Sequence, residues 1–348
     1  MNTEIIKNTS GAQTYSESID YAASIIKKGG LVVFPTETVY GLGADATNPI
    51  ASKSIYTAKG RPSDNPLIVH ISNPSDAEKY TYTNEIYYKI AKAFMPGPIT
   101  VVLPSKPTIP KATRGGLDTV AVRCPENIIA RDLIKASGVP IAAPSANLSG
   151  TPSPTSARHV IDDMKGRVDL IIDGGDSDFG LESTIVKIDD NAVTLLRPGK
   201  ITVEELERVV GKINVASAVT EELSANEKAI SPGMKYRHYA PSSPLVLLDG
   251  ELDRIIEYIS RDTKNRCAVI VYEEDIEKVK SELPNAECYT FGKRDDEITQ
   301  AHVLFSLLRD IDKENFEKIY APLPQKHGIG LALYNRMIRA AAHTIVKV

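Results

Sequence analysis

Between about Ser16 and Val210, short apolar runs follow one another across turns too short to hold a helix, and this spacing constrains the fold more than any other feature. Parallel neighbours need a crossover of roughly a dozen residues, whereas antiparallel ones can be joined by a tight turn. The region is therefore expected to form a mixed α/β sheet rather than a regular doubly wound one. Strands are expected at Leu31–Phe34, Ile99–Leu103, Thr119–Arg123, Val139–Ala143, Val168–Ile172, Thr184–Ile188 and Ala192–Leu196. Helices are expected at Asn84–Phe94, Ile128–Ala136, Thr155–Met164 and Val203–Val210, and an earlier one places Ile19, Ala22, Ala23 and Ile26 on one face before Gly29-Gly30 ends it.

The texture changes at Asn214. Residues 214–244 form a polar stretch leading into Ser231-Pro232-Gly233-Met234-Lys235-Tyr236-Arg237-His238-Tyr239-Ala240-Pro241. Linkers are usually simple and polar, whereas this one concentrates two tyrosines, a histidine and two cations, so it is expected to dock on something. Beyond it, strand patterns at Leu245–Leu248, Ala268–Tyr272 and Glu287–Thr290 alternate with helical ones at Leu252–Ser260, Ile276–Leu283, Glu297–Leu308 and Ile329–Ala342. That βαβα order predicts a smaller parallel-sheet domain of Rossmann type. The expected organisation is a catalytic domain over residues 1–213, a linker over 214–244 and a C-terminal domain over 245–348.

Composition narrows the class. The 348 residues are 42% hydrophobic and 25% charged with a formal net charge of -4, which excludes a disordered or collagenous chain and argues against broad electrostatic binding of nucleic acid. The apolar runs fall far short of the ~20 residues a membrane span needs, and Met1–Gly11 lacks the apolar core of a secretory signal. Cys124, Cys267 and Cys288 stand far apart, as reduced cytoplasmic thiols would.

The familiar catalytic signatures are missing: no Walker A loop, no His-Glu-x-x-His, no Gly-x-Ser-x-Gly. Gly41-Leu42-Gly43-Ala44-Asp45-Ala46 resembles a dinucleotide fingerprint only loosely, because Pro35–Tyr40 separates it from the strand, and a tight turn is expected there. What stands out instead are polar residues beside strands. Thr36-Glu37-Thr38 follows the Phe34 strand, Lys59-Gly60-Arg61 follows a short helix, and Asn65-Pro66 leads to a strand carrying His70. Arg123 ends another strand, Ser145-Ala146-Asn147 and Ser153 follow the Ile141 run, Glu182-Ser183 precedes a strand and Arg197 ends the next. Hydroxyls and backbone N–H groups held by Gly and Pro, with Lys and Arg to neutralise charge, are what a phosphate-bearing ligand requires. Each residue alone has a plainer role as turn cap, salt-bridge partner or solubilising charge; the argument rests on the set.

That set, in that order, resembles the YrdC-like family, in particular its two-domain L-threonylcarbamoyladenylate synthases. The resemblance covers about Ser16 to Pro241 through the blocks FPTETVYGLG, KGRP, NPLIVH, PGPIT, GLDTVAVRCP, PIAAPSANLSG, LESTIV, LLRPG and SPGMKYRHYAP. It implies a twisted mixed sheet with surrounding helices and the synthesis of threonylcarbamoyl-AMP from L-threonine, bicarbonate and ATP with release of pyrophosphate. Mg²⁺ is expected with the ATP. The product would serve a separate transferase complex that modifies adenosine 37 of tRNAs reading codons that begin with A. Carried over block by block, the ATP site comprises Lys59, Arg61, Asn65, Thr119, Ser145, Asn147, Ser153, Arg197 and Tyr236, with Lys59 and Arg61 as the catalytic cations. The threonine site comprises Thr38, His70, Arg123, the Ala143 backbone and Ser183, and no protein metal site is implied. Tyr236 and its neighbours would close as a lid over the nucleotide.

Two other functions compete. A basic-lined face of this fold could hold an RNA stem, leaving room for a weak RNA contact, although the net charge disfavours it. Carbamoyl transfer to another acceptor is the third reading, but related maturation proteins carry a four-cysteine finger that three cysteines cannot form.

Overall fold

A computed structural model describes residues 2–7, 12–190, 192–221, 239–261 and 266–348. The chain divides into two compact units, one of residues 1–149 and 153–235 and one of residues 150–152 and 236–348.

In the first unit the elements are β1 (Glu4–Lys7), α1 (Ala12–Lys27), β2 (Val32–Phe34), β3 (Gly41–Asp45), α2 (Pro49–Lys59), β4 (Ile68–His70), α3 (Glu85–Phe94), β5 (Ile99–Pro104), β6 (Thr119–Arg123), α4 (Ile128–Ser137), β7 (Ile141–Ala142), α5 (Ala157–Met164), β8 (Leu170–Asp173), β9 (Thr184–Asp189), β10 (Ala192–Arg197), α6 (Val203–Val210) and β11 (Asn214–Val215). The strands form one eleven-stranded sheet in the order β1-β8-β2-β3-β7-β4-β6-β5-β9-β10-β11. It is mixed as expected: β2–β3, β3–β7, β4–β7, β5–β6 and β9–β10 are antiparallel, and β4–β6 and β5–β9 are parallel.

The helical stripe of α1 lies in the core, where Ile19, Ala22, Ala23 and Ile26 meet Ile129, Ala130, Leu133 and Ile134 of α4 over Val32, Phe34, Leu170 and Ile172. A smaller apolar cluster forms elsewhere on the sheet from Ile68, Val102, Ala121, Ile185 and Leu196.

Two expectations need correcting. Gly41–Asp45 is a buried strand, not a tight turn. Its glycines make room for a neighbour: a Cβ on Gly43 would stand 2.6 Å from the Phe34 ring and one on Gly41 3.1 Å from it. The requirement is space, and neither glycine has the positive φ of a turn. The first unit also runs past residue 213, because Asn214 and Val215 pair with Thr194 and Leu195 of β10. Ala218 and Val219 are buried behind that edge, so the polar residues around them hid a short apolar docking segment.

The second unit contains β12 (Leu245–Asp249), α7 (Leu252–Ser260), β13 (Cys267–Val271), α8 (Ile276–Glu282), β14 (Glu287–Thr290), α9 (Glu297–Lys313), β15 (Lys318–Pro322), α10 (Gly330–Ala340) and β16 (Ile345–Lys347). All its strand pairs are parallel, in the order β14-β13-β15-β12-β16. Val246, Leu248, Val269 and Val271 alternate onto the face covered by Ile256 and Ile259 of α7 and Val279 of α8. The chain leaves β12 toward β13 and β14, then returns through β15 to β16. Right-handed crossovers therefore put α9 and α10 on the opposite face.

Candidate active site

The site grows from period-two alternation in the first sheet. Ile68 and His70 share a face of β4, Ala121 and Arg123 a face of β6, and Thr100 and Val102 a face of β5. In each pair the apolar residue belongs to the small cluster with Ile185 and Leu196, and the polar one stands beyond it. Parallel register holds His70 level with Arg123 and Ile68 level with Ala121.

Arg123 makes a buried ion pair: its Nη2 donates to Glu37 Oε1 at 2.7 Å, with 5% and 6% of the two side chains exposed. Glu37 is held there by its own loop. Thr36 Oγ1 accepts from the N–H groups of Thr38 and Val39, and the Glu37 carbonyl accepts from Phe179 N at 2.9 Å. Thr38 is fully buried, its hydroxyl 2.9 Å from that of Thr36. His70 Nδ1 lies 3.2 Å from the Ile68 carbonyl. Burial, and secondarily the Arg123 charge, pushes its pKa down to about 3, so the imidazole is neutral at physiological pH.

Ser183 is reached from two sides. Its Oγ lies 2.7 Å from Thr100 Oγ1, and Arg197 donates from Nη2 to that hydroxyl at 3.2 Å and from Nε to the Ser183 carbonyl at 3.1 Å. A register shift in β10 between Leu195 and Arg197 turns the guanidinium toward β9. Arg197 thus stands with the expected threonine residue Ser183. The adjacent Glu182 accepts a 2.5 Å hydrogen bond from Ser153 Oγ.

A second group forms where α2 ends. Gly60 takes a left-handed φ of +62°, and Arg61 N bonds back to the Tyr56 carbonyl at 2.9 Å. Lys59 Nζ donates to the Asn147 carbonyl at 2.7 Å, to Asn147 Oδ1 at 3.2 Å and to the Ser145 carbonyl. These account for the three donors of an ammonium group, so Lys59 clamps the loop after β7. Ser145 Oγ donates to Asn147 Oδ1 at 2.5 Å, and Ala143 N donates to the Ile68 carbonyl at 2.8 Å. Arg61 Nη2 reaches the Asn65 and Pro66 carbonyls at only 3.5 Å. Thr119 opens β6 opposite Pro104 of β5, about 13 Å along the strand from Arg123, and is half-buried. Tyr236 lies outside the described residues, as does the expected lid segment Ser231–Pro241 up to His238.

Buried polar atoms normally find partners. Among the described residues, Glu37 Oε2, Arg123 Nε and both amide atoms of Asn65 have no hydrogen-bond partner. Those atoms fall on the two groups just described, while Arg114 Nε and Ser177 Oγ are also without a partner elsewhere in the first unit. Sequence reasoning left Glu37 and Thr100 out of the site. Glu37 was visible between two threonines after a buried strand; its pairing with Arg123 needed the sheet register.

The chain is similar to known proteins along nearly its whole length. The Sua5–YciO–YrdC family model, described as "Telomere recombination", matches residues 24–199, and the model of the threonylcarbamoyl-AMP synthase C-terminal domain matches residues 201–342. A Bacillus subtilis protein named threonylcarbamoyl-AMP synthase is 44% identical over 97% of both chains. A Pyrococcus abyssi protein of the same name is 43% identical over 95% of this chain and 96% of its own. The crystal structure of Pyrococcus abyssi Sua5 complexed with L-threonine superposes with a TM-score of 0.89 at 40% identity, covering 100% of each chain.

Proposed function

The chain belongs to the Sua5–YciO–YrdC family, and we propose from that premise that it is a threonylcarbamoyl-AMP synthase whose amino-acid pocket is the Arg123–Glu37 pair. It joins L-threonine, bicarbonate and ATP. The threonine ammonium group first gives up a proton to solvent; the free amine attacks bicarbonate to give a carbamate and water, and a carbamate oxygen then attacks the α-phosphorus of ATP, expelling pyrophosphate.

One observation carries the pocket assignment: the buried ion pair keeps one unpartnered donor, Arg123 Nε, and one unpartnered acceptor, Glu37 Oε2. A zwitterionic amino acid offers a carboxylate to the first and an ammonium group to the second. The Thr38 and Ser183 hydroxyls suit the side-chain OH of threonine. Neutral His70 adds shape without adding charge to the pocket. Arg61 and the Asn65 amide stand for the nucleotide, and Arg197 beside Ser183 stands between the two substrates' expected residues. Lys59 acts in this scheme by fixing Ser145 and Asn147. Holding the carbamate dry and in line with phosphorus supplies most of the catalysis, because nucleotidyl transfer asks for placement and charge neutralisation.

Mg²⁺ enters with ATP, coordinated by phosphate oxygens and water. Among the described residues no three His, Cys, Asp or Glu side chains gather into a metal-ligating group. The product is a reactive mixed anhydride, which calls for a separate transferase that passes its threonylcarbamoyl group to tRNA in the cytoplasm. No helix among the described residues is long and apolar enough to cross a membrane.

The protein incubated with threonine, bicarbonate, ATP and Mg²⁺ is expected to release pyrophosphate in step with threonylcarbamoyl-AMP, both read by chromatography. Folded protein that yields neither overturns the proposal. Asn65→Ala is expected to raise KM for ATP by about tenfold or more, equivalent to one charge-assisted or buried hydrogen bond, without loss of thermal stability.

A further inference from the structure

The second unit contains a cavity of about 490 Å³ that the synthase reaction does not use. That volume falls within the roughly 300–1,000 Å³ of small-molecule sites. We propose that this cavity binds a small organic cation, an ammonium group on an apolar body.

Topology supplies the first argument. β12 and β15 are neighbours, yet the chain leaves β12 toward one side of the sheet and β15 toward the other. Diverging connections at adjacent parallel strands open a crevice at their carboxyl ends, where open α/β sheets take their ligands. The cavity lies there, between Leu248–Glu251 at the end of β12 and Ala321–Gln325 at the end of β15. Leu323 N bonds the Leu248 carbonyl at 3.0 Å and ties the two strand ends together.

The lining supplies the ligand class. One part of a lining that exposes more polar than apolar surface is made by Leu252, Ile255 and Ile256 of α7, Val269 and Val271 of β13 and Leu333 of α10. The charged groups facing it are Asp249, Glu251, Asp275 and Glu297 against a single guanidinium, Arg294. Arg294 is already committed: it donates to Asp275 at 2.5 Å and lies 4.3 Å from the centre of the Tyr272 ring. Phe291 stacks on the same ring at 5.0 Å. The N-terminus of α10 also opens here and would attract an anion, but Glu297 Oε2 already accepts from Gly330 N at 2.9 Å. Asp249, which ends β12, and Glu251 just beyond it remain exposed. An anion entering would meet an excess of carboxylates; an ammonium group would gain from them, with its apolar body against α7.

The test titrates the full-length protein with 2-phenylethylamine, 2-phenylethanol and 3-phenylpropionate, read by isotope-edited NMR and calorimetry. The amine is expected to saturate, to bind about tenfold more tightly than the alcohol, and to shift resonances of the β12 and β15 loops. The carboxylate is expected to bind more weakly than either. The double variant Asp249→Asn with Glu251→Gln is expected to weaken the amine by about tenfold and remove its salt dependence, with melting temperature and synthase activity unchanged. Leu252→Trp, which fills the mouth, is expected to abolish binding. Failure of the amine to saturate, equal binding of the carboxylate, or full amine affinity in the double variant overturns the proposal.

Discussion

Arg123 meets Glu37 and Arg266 meets Glu287 at the same 2.7 Å, one pair in each unit of the chain. The first pair is about one-twentieth exposed, and the second about half exposed on both sides. Geometry alone would rank them equal; surroundings separate them. Arg266 is open to solvent, rests 4.5 Å from the Phe316 ring centre and reaches the Glu314 carboxylate. Arg123 Nε and Glu37 Oε2 are buried and have no hydrogen-bond partner. A buried pair keeps its unmet donors and acceptors, whereas solvent can satisfy those of an exposed one.

Breaking each pair measures that difference. Arg123→Ala is expected to give the largest effect, costing about 3–5 kcal/mol of unfolding free energy, because Glu37 is left as a buried uncompensated charge. It should also remove threonine-dependent pyrophosphate release. Denaturant melts and the coupled assay read both, and a loss of activity with full stability would mean that Arg123 serves the substrate and not the fold.

Proton linkage gives an intermediate effect. With a folded pKa of about 3 against 6.5 unfolded, His70 takes up a proton far more readily in the unfolded chain. The stability this confers is complete at neutral pH and is lost as pH falls from about 6.5 toward 3, by up to about 1.4 kcal/mol per pH unit. Between pH 6.5 and about 5, before ordinary carboxylates titrate, His70→Gln is expected to flatten the stability profile. Equal slopes in the two proteins would place the imidazole in contact with water. The smallest effect is expected from Arg266→Ala, with melting temperature and turnover both at the parent value. A clear drop in turnover would dissolve the contrast between the two pairs.

How much of this was legible depended on the reach of the pattern. Thr119–Arg123 and Val203–Val210 were readable to the residue, because apolar spacing within one element set their limits. β3 was hidden by its glycines, whose purpose is clearance for Phe34, a partner seven or more residues back. β15 was hidden because Lys318 and Pro322 shorten its apolar run, although Ile319, Tyr320 and Ala321 are all buried. The cations and hydroxyls of the site were visible as residue types beside strands. Which of them touch was not, since Arg123 and Glu37 are joined by a fold of the loop over the sheet that no local signal records. Likewise the motif around Lys59 announced a cation but not that Ser145 and Asn147 would occupy it.

β4 is only three residues long, and its two outward positions divide the labour: Ile68 floors the apolar cluster and His70 stands with the pocket. Such a strand works as a fixed spacer. Adding or deleting one residue between them would swing the imidazole to the reverse side of the sheet and uncouple it from Arg123. Length variation is thus confined to the surrounding loops, and any redesign of substrate size must be made in what the spacer carries, never in the spacer itself.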